Sequence, residues 1–169
     1  MNRIWAPWRM TYILAADEVP DACIFCQYPA EEPSHHRDRL ILCADERAFV
    51  IMNKYPYSGG HLLVVPRAHV SNPADLSTED YHATMDLLRV ATERVRQALS
   101  PHGFNLGMNL GRVAGAGIDK HCHWHIVPRW NGDTNFMPVI GDAKVVSDHL
   151  QTTYDRLLPY FAASEAVSG

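Results

Sequence analysis

The stretch His121-Cys122-His123-Trp124-His125-Ile126-Val127 constrains this chain more than any other. Side chains alternate across a β-strand, so residues i, i+2 and i+4 share a face. An extended segment here puts His121, His123 and His125 on one side and the apolar Cys122, Trp124 and Ile126 on the other. The apolar side can seat the strand on a core, whereas a helix would scatter the three rings around its axis. Pro128 cannot donate to a sheet ladder and is expected to mark the end of the strand.

A single histidine on a strand is usually a solvated surface residue. Three in strict alternation have no packing advantage over valine or threonine, so the pattern asks for chemistry. Neutral imidazole serves metal ligation, and it serves nucleophilic or acid–base catalysis near neutral pH. Both uses stay open at this level, including a binding module whose triad only ligates a metal.

The surroundings narrow the setting. At 169 residues and 47% hydrophobic content the chain suits one domain with a real core. The net charge of −4, with cations spread along the sequence, argues against binding a nucleic acid polymer but not against a small phosphate ligand. The amino-terminal MNRIWAPWRM lacks the unbroken apolar segment of a secretory signal, and no run approaches the roughly 18 apolar residues of a membrane span. A cytoplasmic location is expected, in which the four cysteines serve as thiols or metal ligands rather than disulfides.

Residues 1–20 read as an extension in which Trp5 and Trp8 are expected to pack over a core edge or to serve as a lid beside a ligand's base, with a short helix expected through Ile13-Leu14-Ala15-Ala16. Asp21 can cap a turn carrying Cys23-Ile24-Phe25-Cys26, a C-x-x-C of the spacing used by structural zinc sites and redox pairs. No strand precedes it, which favours zinc. Residues 29–38 read as a loop with His35 and His36 solvated. Strands Leu40–Ala44 and Ala48–Asn53 flank the turn Asp45-Glu46-Arg47 as an antiparallel hairpin. After a loop from Lys54 to Gly60, His61 opens a third strand closed by Pro66, with His69 just beyond.

Ser77 and Asp80 form a capping-box-like start for a helix to about Leu99, whose Tyr81, Met85, Leu88, Val95 and Leu99 make one apolar stripe. Phe104 to Asn109 is a fourth strand. The small-residue run Gly111 to Gly117 leads into the histidine strand, and such a loop lets backbone N–H groups approach an anion. A last helix is expected from Ser147 to about Phe161, packed on the same domain with the 131–169 segment.

His-Cys-His-Trp-His-Ile-Val matches the signature of the histidine triad (HIT) family, and the chain resembles that family of nucleotide hydrolases and transferases from Cys23 to about Arg129. Trp5-Ala6-Pro7-Trp8-Arg9 and PRWNGDTNFMPV look like its bacterial branch, related to diadenosine tetraphosphate phosphorylases and hydrolases. The resemblance implies an α+β fold: a five-stranded antiparallel sheet, one long helix across it, terminal helices, and a homodimer. It implies that His123 attacks an α-phosphate to form a nucleotidyl-histidine, that His125 assists the leaving group, and that His61 packs beside them. Asn109, Asn53 and the backbone of Gly115, Ala116 and Gly117 would bind substrate. Some relatives hold zinc on two cysteines, the histidine after the third strand and the first triad histidine; Cys23, Cys26, His69 and His121 fit that pattern as a structural site. No organic cofactor is implied. Where many relatives carry a serine, threonine or glutamine before the triad, this chain reads Ala116-Gly117-Ile118-Asp119, which leaves water and phosphate both open as acceptors.

Overall fold

The computed structural model describes residues 23–133 and 149–162. The tryptophan-bearing extension, Asp21, Phe136 to Pro138 and Ser147 lie outside the described residues. Cys23 leads into a one-turn helix α1 (Ile24–Gln27), and a second short helix α2 (His36–Arg39) follows two 3₁₀ turns. The segment expected as a loop is therefore largely helical turns; His35 is exposed as expected, but His36 on α2 is half-buried. Pro29 and Pro33 start the 3₁₀ turns, where a missing N–H costs nothing.

Strands β1 (Ile41–Ala44) and β2 (Ala48–Met52) form the expected hairpin. Its turn is held by the Asp45 carboxylate, which accepts from the N–H groups of Arg47 and Ala48 at 3.0 and 2.9 Å. Strand β3 (Leu62–Pro66) lies beside β2, and both strands are buried along their whole length, which fits their unbroken apolar sequences. Helix α3 (Thr78–Leu99) packs across β2 and β3. The Ser77 hydroxyl caps it by accepting the Asp80 N–H at 3.0 Å, while Asp80 takes the hydroxyl proton and ion-pairs with Arg47 at 2.7 Å.

The inward stripe of α3 is Thr84, Leu88, Ala91, Val95 and Ala98. Leu88 and Val95 were anticipated, but Tyr81 is exposed and Met85 and Leu99 are only half-buried. The stripe runs through small residues that bring helix and sheet close, and Thr84 is acceptable there because its hydroxyl donates to the Asp80 carbonyl at 2.7 Å.

Strand β4 (Gly103–Met108) is an edge, and β5 (Trp124–Arg129) lies between it and β3, giving the antiparallel order β1-β2-β3-β5-β4. Helix α4 (Leu150–Ala162) closes the other edge, with Tyr154 donating its hydroxyl to the Ile41 carbonyl at 2.9 Å. The α+β architecture is as expected. Pro128 does not end β5: it sits inside the strand opposite Phe104, because pairing with β3 stops at Ile126 and no ladder donor is needed beyond that point. At its other end the ladder begins at Trp124, so His121 to His123 enter as extended chain before the sheet proper, tied by the Cys122 N–H to the Val70 carbonyl at 2.7 Å. Among the described residues, no helix is long and apolar enough to cross a membrane.

Candidate active site and metal centre

The alternation does what the sequence pattern requires of it. Cys122, Trp124 and Ile126 enter the core, and the three rings lie on the opposite side together with His61, which stands immediately before β3. None of the four is a solvated surface residue: His61 and His121 are fully buried, His123 is 5% exposed and His125 9%. Phe25 from α1 wedges edge-on against His121 and His123, with ring centroids 5.5 and 5.1 Å apart.

Each buried ring has its proton placed by a neighbour that can act in only one sense. His123 Nδ1 lies 2.9 Å from the His121 carbonyl, which only accepts, so Nδ1 carries the hydrogen and Nε2 the lone pair. His61 Nδ1 accepts the Tyr57 backbone N–H at 3.0 Å, and the Asn53 amide nitrogen lies 3.3 Å away on the same side. Nδ1 of His61 is thus bare, Nε2 carries the hydrogen, and that N–H donates to His125 Nδ1 at 2.9 Å. His125 must then hold its own hydrogen on Nε2, which is fully buried without a hydrogen-bond partner among the described residues. The result is a lone pair on His123 and an N–H on the adjacent His125, with ring centroids 5.1 Å apart. Burial holds both rings neutral: it lowers the His123 pKa against the pull of the His121 carbonyl, and with the neighbouring His123 it pushes His125 down to about 4.

His121 faces elsewhere. Its Nε2–H donates to the Pro66 carbonyl at 2.8 Å, which leaves Nδ1 bare beside Cys23 Sγ (3.4 Å) and Cys26 Sγ (3.7 Å). Cys26 Sγ is 3.2 Å from His69 Nδ1, and the four ligand atoms all lie within 4.8 Å of one another. Tetrahedral zinc with its usual bond lengths to sulfur and nitrogen sets S···N separations of about 3.5 Å. The donor set fits such an ion, and the Pro66 carbonyl supplies the partner that fixes a ligating imidazole's tautomer. Burial is also the main force raising the Cys26 thiol pKa, with Cys23 adding to it, a cost that a cation would reverse. His123 and His125 belong to no metal-ligand group among the described residues, so the three histidines do not converge on one ion.

The anion loop is narrower than expected. Gly115 N–H donates to the Arg112 carbonyl at 2.9 Å and Ala116 N–H to the Gly111 carbonyl at 3.3 Å, so two of the three anticipated backbone donors close the loop on itself. Gly117 is the donor of the three with no backbone partner among the described residues. Asn109 reaches the Gly115 carbonyl at 3.5 Å and steadies the loop, and Asn53 accepts the Tyr55 N–H at 2.9 Å. Lys120 is exposed. Phe25 and Tyr57 were not anticipated. The first lies inside the C-x-x-C, where a large aromatic must pack somewhere; the second sits four residues before His61 in the loop from Lys54 to Gly60.

A five-stranded antiparallel sheet that offers alternating histidines beside a fourth defines a histidine triad protein. The HIT domain family matches residues 35–132. The AP-4-A phosphorylase of Mycobacterium tuberculosis is 36% identical over 157 residues, covering 90% of this chain and 80% of that protein. The adenosine 5'-monophosphoramidase of Schizosaccharomyces pombe is 30% identical over 111 residues, covering 65% and 76%. Among solved structures, a Zn-bound histidine triad family protein from Mycobacterium smegmatis shares the fold at a TM-score of 0.66 and 24% identity, over 83% of this chain and 94% of that one. The chain belongs to the HIT family, and within it is an enzyme of the nucleotide hydrolase and transferase class.

Proposed function

We propose that this enzyme cleaves dinucleoside polyphosphates of the diadenosine tetraphosphate type at an α-phosphate, through a nucleotidyl group held on His123. The observation that carries the reading is the 2.9 Å bond from His123 Nδ1–H to the His121 carbonyl, which leaves Nε2 as a neutral nucleophile beside a His125 Nε2–H that has no partner among the described residues. The Nε2 lone pair attacks the α-phosphorus, the bond from phosphorus to the bridging oxygen breaks, and the departing nucleoside triphosphate keeps that electron pair. His125 Nε2–H hydrogen-bonds the bridging oxygen as charge builds on it. The ring of His123 becomes cationic when the N–P bond forms, and the His121 carbonyl stabilises it through Nδ1–H. Water or inorganic phosphate then attacks the same phosphorus and frees His123, yielding the nucleoside monophosphate or diphosphate. The name of the Mycobacterium tuberculosis relative supports this substrate class.

Asn53, Asn109 and Gly117 are our choices for contacts to the phosphates and nucleoside, with Gly115 and Ala116 shaping the loop. We assign zinc to Cys23, Cys26, His69 and His121, where it would tie α1 to the entry of the triad strand and fold His121 into place. The reading includes a homodimer, checked by light scattering, and a reducing cytoplasmic setting in which the free thiols of Cys23 and Cys26 stay available as ligands.

A second reading is a nucleoside phosphoramidase, favoured by the Schizosaccharomyces pombe relative and by the same acid, since a departing amine needs a proton even more than an oxygen does. Turnover of diadenosine tetraphosphate and adenosine phosphoramidate, each with and without phosphate, separates the two. We expect kcat/KM at least tenfold higher on the tetraphosphate. A preference for the phosphoramidate, or turnover of neither, overturns the proposal.

A further inference from the structure

The loop that joins β2 to β3 is fastened more firmly than a surface connection needs to be. Asn53 holds the Tyr55 N–H, the Ser58 hydroxyl donates to the Pro128 carbonyl on β5, and Gly60 adopts a φ of +73° where a side chain would collide with Leu99. Tyr57 lies at the centre of these ties. Its backbone N–H sets the proton on His61, as described, and its ring lies over both members of the relay. The centroid distances are 4.7 Å to His61 and 5.9 Å to His125, the latter nearly parallel at 19°. The ring remains 43% exposed, so its other parts face outward while it covers the imidazole pair. His123 is held from another element altogether, by Phe25.

The consequence concerns the second tautomer of His125. With its hydrogen on Nδ1, His125 would turn a bare Nε2 toward the bridging oxygen and repel it. Interchange between the two forms requires water or rotation at the His61–His125 contact, and an aromatic face laid over both rings opposes each. From this placement we infer that Tyr57 is a positioning residue for leaving-group departure, acting through the His61–His125 pair and not through the nucleophile. The inference rests on the function proposed above and adds which residue governs one half of the first step.

The test separates leaving groups. Pre-steady-state nucleotidyl transfer to His123 is measured for the wild type, Tyr57→Ala and Tyr57→Phe with two adenylyl donors. Diadenosine tetraphosphate releases a terminal phosphate oxygen that titrates near neutrality and gains from a hydrogen bond as it departs, whereas the 2,4-dinitrophenyl ester of adenosine monophosphate releases a much weaker base that gains little. We expect Tyr57→Ala to slow transfer at saturation about tenfold with the tetraphosphate and less than twofold with the ester. Half-saturation concentrations should change less than twofold, and Tyr57→Phe should match the wild type on both. A melting curve within a few degrees of the wild type accompanies each variant, since an exposed ring can be removed without opening the core. An equal loss on both donors, a change confined to half-saturation, or a Tyr57→Phe enzyme as slow as Tyr57→Ala would each overturn this inference alone. A wild type inert toward both donors overturns the function reading and the inference with it.

Discussion

His121 and His125 stand four residues apart on one segment, yet their neighbours take opposite nitrogens. At the His121 end, the Pro66 carbonyl takes the hydrogen on Nε2 and bare Nδ1 joins two thiols and His69 in a closed set. At the His125 end, the His61 N–H occupies Nδ1, so Nε2–H is left without a partner among the described residues. Between them His123 takes its tautomer from the His121 carbonyl, so the proposed metal end and the proposed reactive end share one peptide unit. The difference teaches that in a run of identical side chains, what each ring can offer is set by which nitrogen its neighbours engage.

The largest expected effect breaks the open end alone. His123→Ala should lower kcat by roughly 10⁴-fold or more, as removal of a nucleophile does, while metal content and melting temperature stay near wild type. Steady-state kinetics with metal analysis on the same sample checks both halves. A variant that keeps a tenth of the activity would contradict the assignment of roles.

Stripping the closed end should act mainly on stability. A metal present at about 1,000 times its Kd adds about 4 kcal/mol, so dialysis against a chelator should lower Tm by about 10 °C. Calorimetry before and after dialysis measures this. Activity below the new Tm should fall only by the amount that loosening of the His121 carbonyl imposes on His123; immediate and complete loss with no change in Tm would place the metal in the chemistry instead.

The third effect is carried by pH. His125 titrates near 6.5 in the unfolded chain and is pushed down to about 4 by burial in the fold, so the unfolded state binds the proton first on acidification. Its share of stability is complete above about pH 6.5 and is lost as pH falls toward 4, up to about 3 kcal/mol in all. Denaturant unfolding of wild type and His125→Gln between pH 7 and 4 isolates this share, because acid effects on the metal ligands are common to both. Parallel curves would show that His125 is not held neutral by the fold.

Gly60→Ala should produce the smallest change, about 1 to 2 kcal/mol of destabilisation from the positive φ and the Leu99 contact. It loosens the loop that carries His61 and Tyr57 and should leave metal affinity untouched. Chemical denaturation together with a metal titration reads both.

Much of this was legible in the sequence. The triad alternation, the hairpin around Asp45 and the Ser77 cap lie where local pattern places them, because each rests on spacing along one element, whereas the grouping of Cys23, Cys26, His69 and His121 was implied only by the family resemblance. What was not legible depends on partners distant in sequence. Pro128 was misjudged because its neighbour on β3 runs out, which only the sheet register reveals. The α3 stripe slid because close packing selects Thr84, Ala91 and Ala98, which apolar scoring undervalues. The donors of Gly115 and Ala116 were credited to a ligand although the loop's own turns use them. The tautomers themselves needed carbonyl and N–H positions that no residue name contains.

The most direct test is a rapid-quench reaction with radiolabelled diadenosine tetraphosphate, stopped in mild base and followed by peptide mass spectrometry. One adenylyl group per active site is expected, bonded through Nε2 of His123 and lost on acidification, formed as fast as turnover requires. Turnover at the normal rate with no adduct, or an adduct on His121, His125 or any other residue, would contradict the proposed mechanism.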